Sequence, residues 1–155
     1  MIPQDTSNSQ FTFGRASLIP QEEMLEVGKS KKQLTIGIPK EMQKFESRVA
    51  LTPEAVDQLV NSGHEVLIES GAGNAANYSD TDYSELGGFI LDNRAAIYQA
   101  DTILKIAPLS VEEIELLSER QVVISSLHLN SQTKQFVQQL MQKRATAIAF
   151  ENIKD

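Results

Sequence analysis

From residue 33 onward, short β-rich apolar runs alternate with stretches whose apolar residues recur at helical spacing, the pattern of βαβ units around a parallel sheet. The runs predict strands at 34–38, 65–69, 89–91, 102–106, 122–125 and 145–149. Between the first two, Thr52 is placed to cap a helix and Pro53 to fill its first turn. Ala55, Val56, Leu59 and Val60 would form its apolar face, and Gly63 would end it. Ser110 with Glu113 spells a capping box for a second helix that buries Val111, Ile114 and Leu117. A third, over about 131–143, is expected to turn Phe136, Val137, Leu140 and Met141 inward, with Lys143 and Arg144 near its carboxyl end, where cations favour the macrodipole. Shorter helices are expected near 81–86 and 94–99. Short connections and right-handed crossovers then predict an α/β fold: an open, doubly wound, mostly parallel sheet of the flavodoxin-like, three-layer type.

Residues 1–32 break this pattern. They are rich in Gln, Ser, Asn and Pro, lack a sustained apolar period and end in the cluster Lys29, Lys31 and Lys32. The expected organisation is therefore an N-terminal arm over 1–32 and one domain over 33–155, for which 155 residues with 41% hydrophobic content suffice. Within the arm, Phe11 and Phe13 alternate as if to dock, and Pro20 with Glu22 and Glu23 would open a short helix. Acidic residues number 21 against 14 Lys and Arg, for a net charge of −7, so neither nucleic acid nor an anionic membrane surface is expected as a partner. The absence of Cys excludes a disulfide framework, a thiolate metal site and a thiol nucleophile within the sequence, and the cytoplasm is the expected compartment. Nowhere do 18 apolar residues run together.

Open parallel sheets bind ligands outside the carboxyl ends of their strands, which narrows the search for chemistry. Arg48 lies in the loop after the first strand, Lys105 ends the fourth, and His128 follows the fifth. Together they would make a cationic pocket for a small carboxylate: Arg48 by its planar fork, Lys105 as a point charge, His128 as a hydrogen-bond donor or proton carrier. The other histidine, His64, follows Gly63 and is assigned to a turn. Gly71, Gly73 and Ala76 spell GxGxxA after the second strand, with Asp92 about 20 residues on. The next helical pattern begins only after Ser79, too late for its amino terminus to face a pyrophosphate at Gly73, so no cofactor site is expected there. No metal site is expected from two distant histidines, and Ser125 and Ser126, just before His128, lack the acid and elbow of a hydrolase.

The segments Ile36-Gly-Ile-Pro-Lys-Glu41, Glu46-Ser-Arg-Val-Ala-Leu-Thr-Pro53, Gly63 through Gly73, Asp101-Thr-Ile-Leu-Lys105 and Leu127-His-Leu129 resemble the amino-terminal domain of the alanine dehydrogenase and pyridine nucleotide transhydrogenase family. By that resemblance Arg48 matches the arginine that holds the carboxylate of pyruvate or alanine, and His128 the histidine that contacts the carbonyl and moves protons. The implied reaction is reversible oxidative deamination of L-alanine with NAD, the cofactor being held by a separate domain beyond Asp155. A homo-oligomer is implied as well, and the chain alone would be inactive. Ala107 departs from the pattern: alanine dehydrogenases usually carry a second lysine there, and Lys105, on the same strand face, is expected to supply the missing charge. Two alternatives are the transhydrogenase α subunit, which is similar at the alanine–proline pair but usually lacks the histidine, and a non-catalytic relative that binds small carboxylates.

Overall fold

A computed structural model of the chain describes residues 33–153. The arm expected over 1–32, with its short helix, lies outside the described residues.

Six strands form one parallel sheet: β1 (Thr35–Ile38), β2 (Glu65–Glu69), β3 (Phe89–Leu91), β4 (Thr102–Leu104), β5 (Val122–Ser125) and β6 (Thr146–Ala149). They alternate with α1 (Pro53–Asn61), α2 (Asp80–Glu85), α3 (Arg94–Ile97), α4 (Val111–Leu116) and α5 (Lys134–Gln142). The spatial order is β3-β2-β1-β4-β5-β6. The open, doubly wound class is the one expected. The order itself is the five-stranded flavodoxin order extended by β3 outside β2, which makes it 3-2-1-4-5-6. The chain leaves β1 toward β2 and β3, then crosses back to lay β4 on the other flank of β1. The order therefore reverses between β1 and β4.

Two apolar clusters make the layers on either side of the sheet. One gathers Val56 of α1 and Tyr83 of α2 with Ile38, Val66 and Ile68; the other gathers Ile114 of α4 and Phe136 and Leu140 of α5 with Ile103 and Val123. Right-handed crossovers require this division, because elements wound in opposite directions along the sheet fall on opposite faces. Gly37, in the middle of β1, is where a helix end comes closest. A Cβ there would lie 2.5 Å from the Ile97 carbonyl oxygen, so only glycine lets α3 close on the sheet. Gly63, at φ 91°, ends α1 in a Schellman arrangement, with His64 N–H donating to Leu59 O and Gly63 N–H to Val60 O.

Three expectations change. β4 ends at Leu104 rather than 106, as the chain turns out to place Lys105 among its partners. α5 starts at Lys134 under a Thr133 cap, because Leu129–Ser131 form a separate 3-10 turn behind His128. Phe136 and Leu140 are buried as expected, but Val137, Met141 and Val111 are not. A marginal helix that rests on the sheet through one i, i+4 pair leaves the next positions round its surface in water.

Candidate active site

The reversal between β1 and β4 brings four loops together at the carboxyl edge of the sheet, and an ion-pair network holds them. Glu41, just past β1, accepts the backbone N–H groups of Ile106 and Ala107 at the end of β4 and lies 3.1 Å from Lys105 Nζ. Lys105 Nζ is also 3.3 Å from Glu113 Oε2. Arg94, the first residue of α3, reaches Glu113 at 3.3 Å and Glu69, the last residue of β2, at 3.1 Å, and donates to the Lys40 carbonyl. Glu113 completes the α4 capping box at the same time, accepting the Ser110 N–H at 2.8 Å. The Lys105, Glu113 and Glu41 side chains are only 1%, 4% and 6% exposed. Buried charges of this kind persist only when pairing and hydrogen bonds offset their desolvation, and here each has at least two partners. Burial works against the Arg94 charge, yet the Glu69 carboxylate holds its pKa above the ordinary value. Burial, followed by the charge of Glu113, pushes the neighbouring Tyr98 phenol well above its usual range.

Lys105 is therefore not a free cation at the mouth of the site. The sequence expectation that it lends its charge to a substrate meets a residue whose ammonium is occupied by two carboxylates. Its place in the network ties the long loop 39–52 to β4. At the loop's other end the Tyr83 hydroxyl donates to the Leu51 carbonyl at 2.8 Å, and burial raises that phenol's pKa to about 12.

Between these anchors stands Arg48, with a side chain 71% exposed. Glu46 grips it from one side: Nε donates to Oε1 at 2.9 Å, Nη2 to Oε2 at 2.8 Å, and the Arg48 backbone N–H to Oε1 at 3.0 Å. The hydrogen bonds from Arg48 bring the Glu46 carboxyl down to about 2. A guanidinium has five donors, so this grip leaves the Nη1–Nη2 edge for a second carboxylate.

His128 follows β5 and is exposed, in the left-handed conformation at φ 46° and ψ 47°. That backbone is costly for a residue with a side chain, and it is pinned on both sides. Glu151 accepts the His128 N–H at 2.8 Å and the Leu127 N–H at 3.0 Å. The Ser131 N–H and hydroxyl donate to the His128 carbonyl at 2.8 and 2.9 Å. Although desolvation opposes it, amide hydrogen bonds from Glu151 itself, His128 and Leu127 keep the Glu151 carboxyl below its usual range. The ring packs on Ser126, whose Oγ is 2.9 Å from Nε2. An open cleft of about 450 Å³ runs past the ring, lined by Leu129, Asn130, Ser131, Glu151 and Asn152.

Arg48 and His128 thus stand on loops at the same edge of the sheet, after β1 and β5, with β4 between them. Each side chain makes its hydrogen bonds within its own loop, Arg48 with Glu46 and His128 with Ser126. A cavity of about 150 Å³ lies between the loops, lined by Ala50, Leu51, Leu104, Lys105, Ile124 and Phe150 among others. Sequence reasoning overlooked Glu41, Glu69, Arg94, Glu113 and Glu151 as parts of this frame. One signal was present: a lysine in an apolar run must find carboxylates, and Glu41 at the end of the neighbouring strand is the first candidate.

The glycine turn does not form a dinucleotide cradle. The Gly71 N–H donates to Asp80 Oδ1 at 2.8 Å, the Ser70 hydroxyl donates to Oδ2 at 2.8 Å, and α2 opens only at Asp80 under its own Ser79–Asp82 capping box. A carboxylate already sits where a phosphate would go. His64 is accounted for by the fold, its Nδ1 accepting the Leu34 N–H at 3.2 Å. Among the described residues no group of three or more His, Asp and Glu side chains is arranged for a metal ion, and no helix is long and apolar enough to cross a membrane.

Residues 37–155 match the family model described as the alanine dehydrogenase/PNT N-terminal domain. Alanine dehydrogenase of Staphylococcus saprophyticus is 33% identical over 120 residues, which is 77% of this chain and 32% of that protein. Its counterpart in Staphylococcus epidermidis is 35% identical over the same share of each chain. Among solved structures, an L-alanine dehydrogenase superposes with a TM-score of 0.73 at 34% identity, covering 76% of this chain and 32% of that one. A transhydrogenase from Sinorhizobium meliloti superposes at 0.69 and 30% identity, covering 76% and 35%. The chain spans about a third of the length of the curated relatives it matches. With a parallel sheet of this order and a family match running from β1 to the last residue, the chain belongs to the alanine dehydrogenase/PNT family, whose N-terminal domain it carries.

Proposed function

We propose that this chain is the substrate-binding domain of an NAD-dependent alanine dehydrogenase, an oxidoreductase for the reversible oxidative deamination of L-alanine to pyruvate and ammonia. The observation that carries this reading is the pairing of an exposed arginine, with one donor edge open, and an exposed histidine on two loops at one edge of the sheet. Lys105 and Arg94, by contrast, are engaged by carboxylates and serve as the frame. In this reading the Nη1–Nη2 edge of Arg48 takes the substrate carboxylate, while Glu46 keeps the guanidinium facing the cleft. His128 donates to the carbonyl oxygen of pyruvate, and it carries the proton to and from that oxygen as the carbinolamine forms and loses water. The chain's own contribution is thus positioning and charge stabilisation. NAD, when bound, supplies the hydride chemistry; the described residues offer it no pyrophosphate cradle, so its binding is assigned outside them. The 155-residue chain alone is accordingly expected to be inactive, and the complete protein to be a cytoplasmic homo-oligomer.

One observation favours a second reading. Ala107 removes the lysine usual in alanine dehydrogenases, and Lys105, tied in its network, does not replace it. The alternatives are the α subunit of a transhydrogenase and a non-catalytic binder of small carboxylates. Following NADH absorbance with the complete polypeptide, L-alanine and NAD separates the three. Alanine-dependent NADH formation is expected. Hydride exchange between NAD(H) and NADP(H) without alanine oxidation would favour the transhydrogenase, and pyruvate binding by calorimetry without either activity would leave the binder.

A further inference from the structure

We infer that Ser126 is a positioning residue for His128: its hydroxyl fixes which imidazole nitrogen faces the substrate. The inference rests on the reading of His128 proposed above and extends it to a residue that the family resemblance did not assign. Ser126 is 7% exposed, and its backbone N–H is held by the Ile106 carbonyl at 3.0 Å, so its Oγ is a fixed point at the end of β5. That oxygen lies 2.9 Å from His128 Nε2 and 3.5 Å from Nδ1, the latter at the limit of a hydrogen bond. Nε2 is therefore the partner. On the backbone side Glu151 and Ser131 clamp His128, which removes main-chain freedom but leaves the ring to rotate about its own bonds. Ser126 supplies the remaining constraint.

A neutral imidazole has one N–H and one lone pair, and the hydrogen bond made by one nitrogen decides the state of the other. A histidine that donates to a carbonyl oxygen must present its N–H to that oxygen. The Ser126 hydroxyl, donating to the Nε2 lone pair, places the proton on Nδ1, which becomes the atom offered to the substrate. When Nδ1 hands its proton to the substrate oxygen, the same hydroxyl can turn and accept from Nε2–H, because a serine oxygen both donates and accepts. One residue thereby serves the ring before and after the transfer.

The test uses the complete polypeptide with Ser126→Ala and Ser126→Thr, in two arms. In the first, steady-state pyruvate amination is measured. General acid–base groups contribute about 100-fold or more, and loss of tautomer control forfeits part of that, so kcat of Ser126→Ala should fall on the order of tenfold. The KM for pyruvate should stay within about twofold, since Arg48 is untouched, and Ser126→Thr should restore most of kcat. In the second arm, diethyl pyrocarbonate modification of His128 is followed by peptide mass. The sequence has only 2 histidines, so the two sites are resolved, and Ser126→Ala should speed reaction at His128 without changing His64. Unchanged kinetics together with an unchanged His128 reaction rate would overturn the inference. So would a parallel loss of kcat and KM with a lowered melting temperature, or a threonine variant as impaired as the alanine one. If the parent protein does not turn over alanine or pyruvate, the functional reading fails first, and the modification rate alone then decides whether Ser126 holds the ring.

Discussion

Replacing Lys105 with methionine separates a framing role from a substrate-binding one. Methionine keeps most of the side-chain volume and removes the ammonium that lies 3.1 Å from Glu41 and 3.3 Å from Glu113. Both carboxylates stay buried, at 6% and 4% side-chain exposure, so neither recovers full hydration. Taking one partner from such a pair generally costs about 3–5 kcal/mol. The lower end applies here, because Glu41 keeps the Ile106 and Ala107 amides and Glu113 keeps Arg94 and the Ser110 amide. A loss of about 3 kcal/mol is a large share of a domain's total of roughly 5–15 kcal/mol. In urea unfolding followed by circular dichroism, the midpoint should fall by about 1–3 M with the slope unchanged. Adding Glu41→Gln should cost less than the sum of the single changes, by on the order of 1 kcal/mol, since the second change removes a stranded charge. A midpoint unchanged within about 0.5 kcal/mol, together with a raised KM for pyruvate, would refute the framing role and return Lys105 to the substrate.

Other expectations concern the two exposed site residues. Arg48→Ala should raise the KM for pyruvate by about 10- to 100-fold, the range for losing a hydrogen bond to a charged group, with a smaller effect on kcat in steady-state assays. His128→Ala should instead lower kcat by about 100-fold or more while leaving KM close to the parent value. Carboxyl NMR should find Glu46 titrating at about 2, and Arg48→Ala should return it toward the ordinary 4.5. The sign follows from a depressed folded-state value. The Glu46–Arg48 pair contributes fully above 4.5 and loses its contribution as the pH falls toward 2.

Local signals in the sequence carry the fold a long way. All six strands are legible within two residues, because parallel strands read as short apolar runs bounded by turn residues. Thr52-Pro53 and Ser110-x-x-Glu113 mark the starts of two helices, where side chains satisfy orphan amides three residues away. What escapes is non-local. Nothing near Lys105 in the chain announces Glu41, since the two meet only after β4 has crossed back beside β1. Glu113 is readable as a capping residue but not as a counter-ion, although it serves as both. Arg48 and His128 were visible from their positions after strand ends. The grip of Glu46 on Arg48, and of Glu151 on the His128 backbone, needed coordinates.

The most direct measurement of the central claim is a crystal structure of the complete protein with pyruvate bound. The account predicts the pyruvate carboxylate within hydrogen-bonding distance of the Arg48 Nη1–Nη2 edge, its carbonyl oxygen against the His128 ring, and Lys105 still between Glu41 and Glu113. A carboxylate resting on Lys105, or a pyruvate that touches neither Arg48 nor His128, would contradict it.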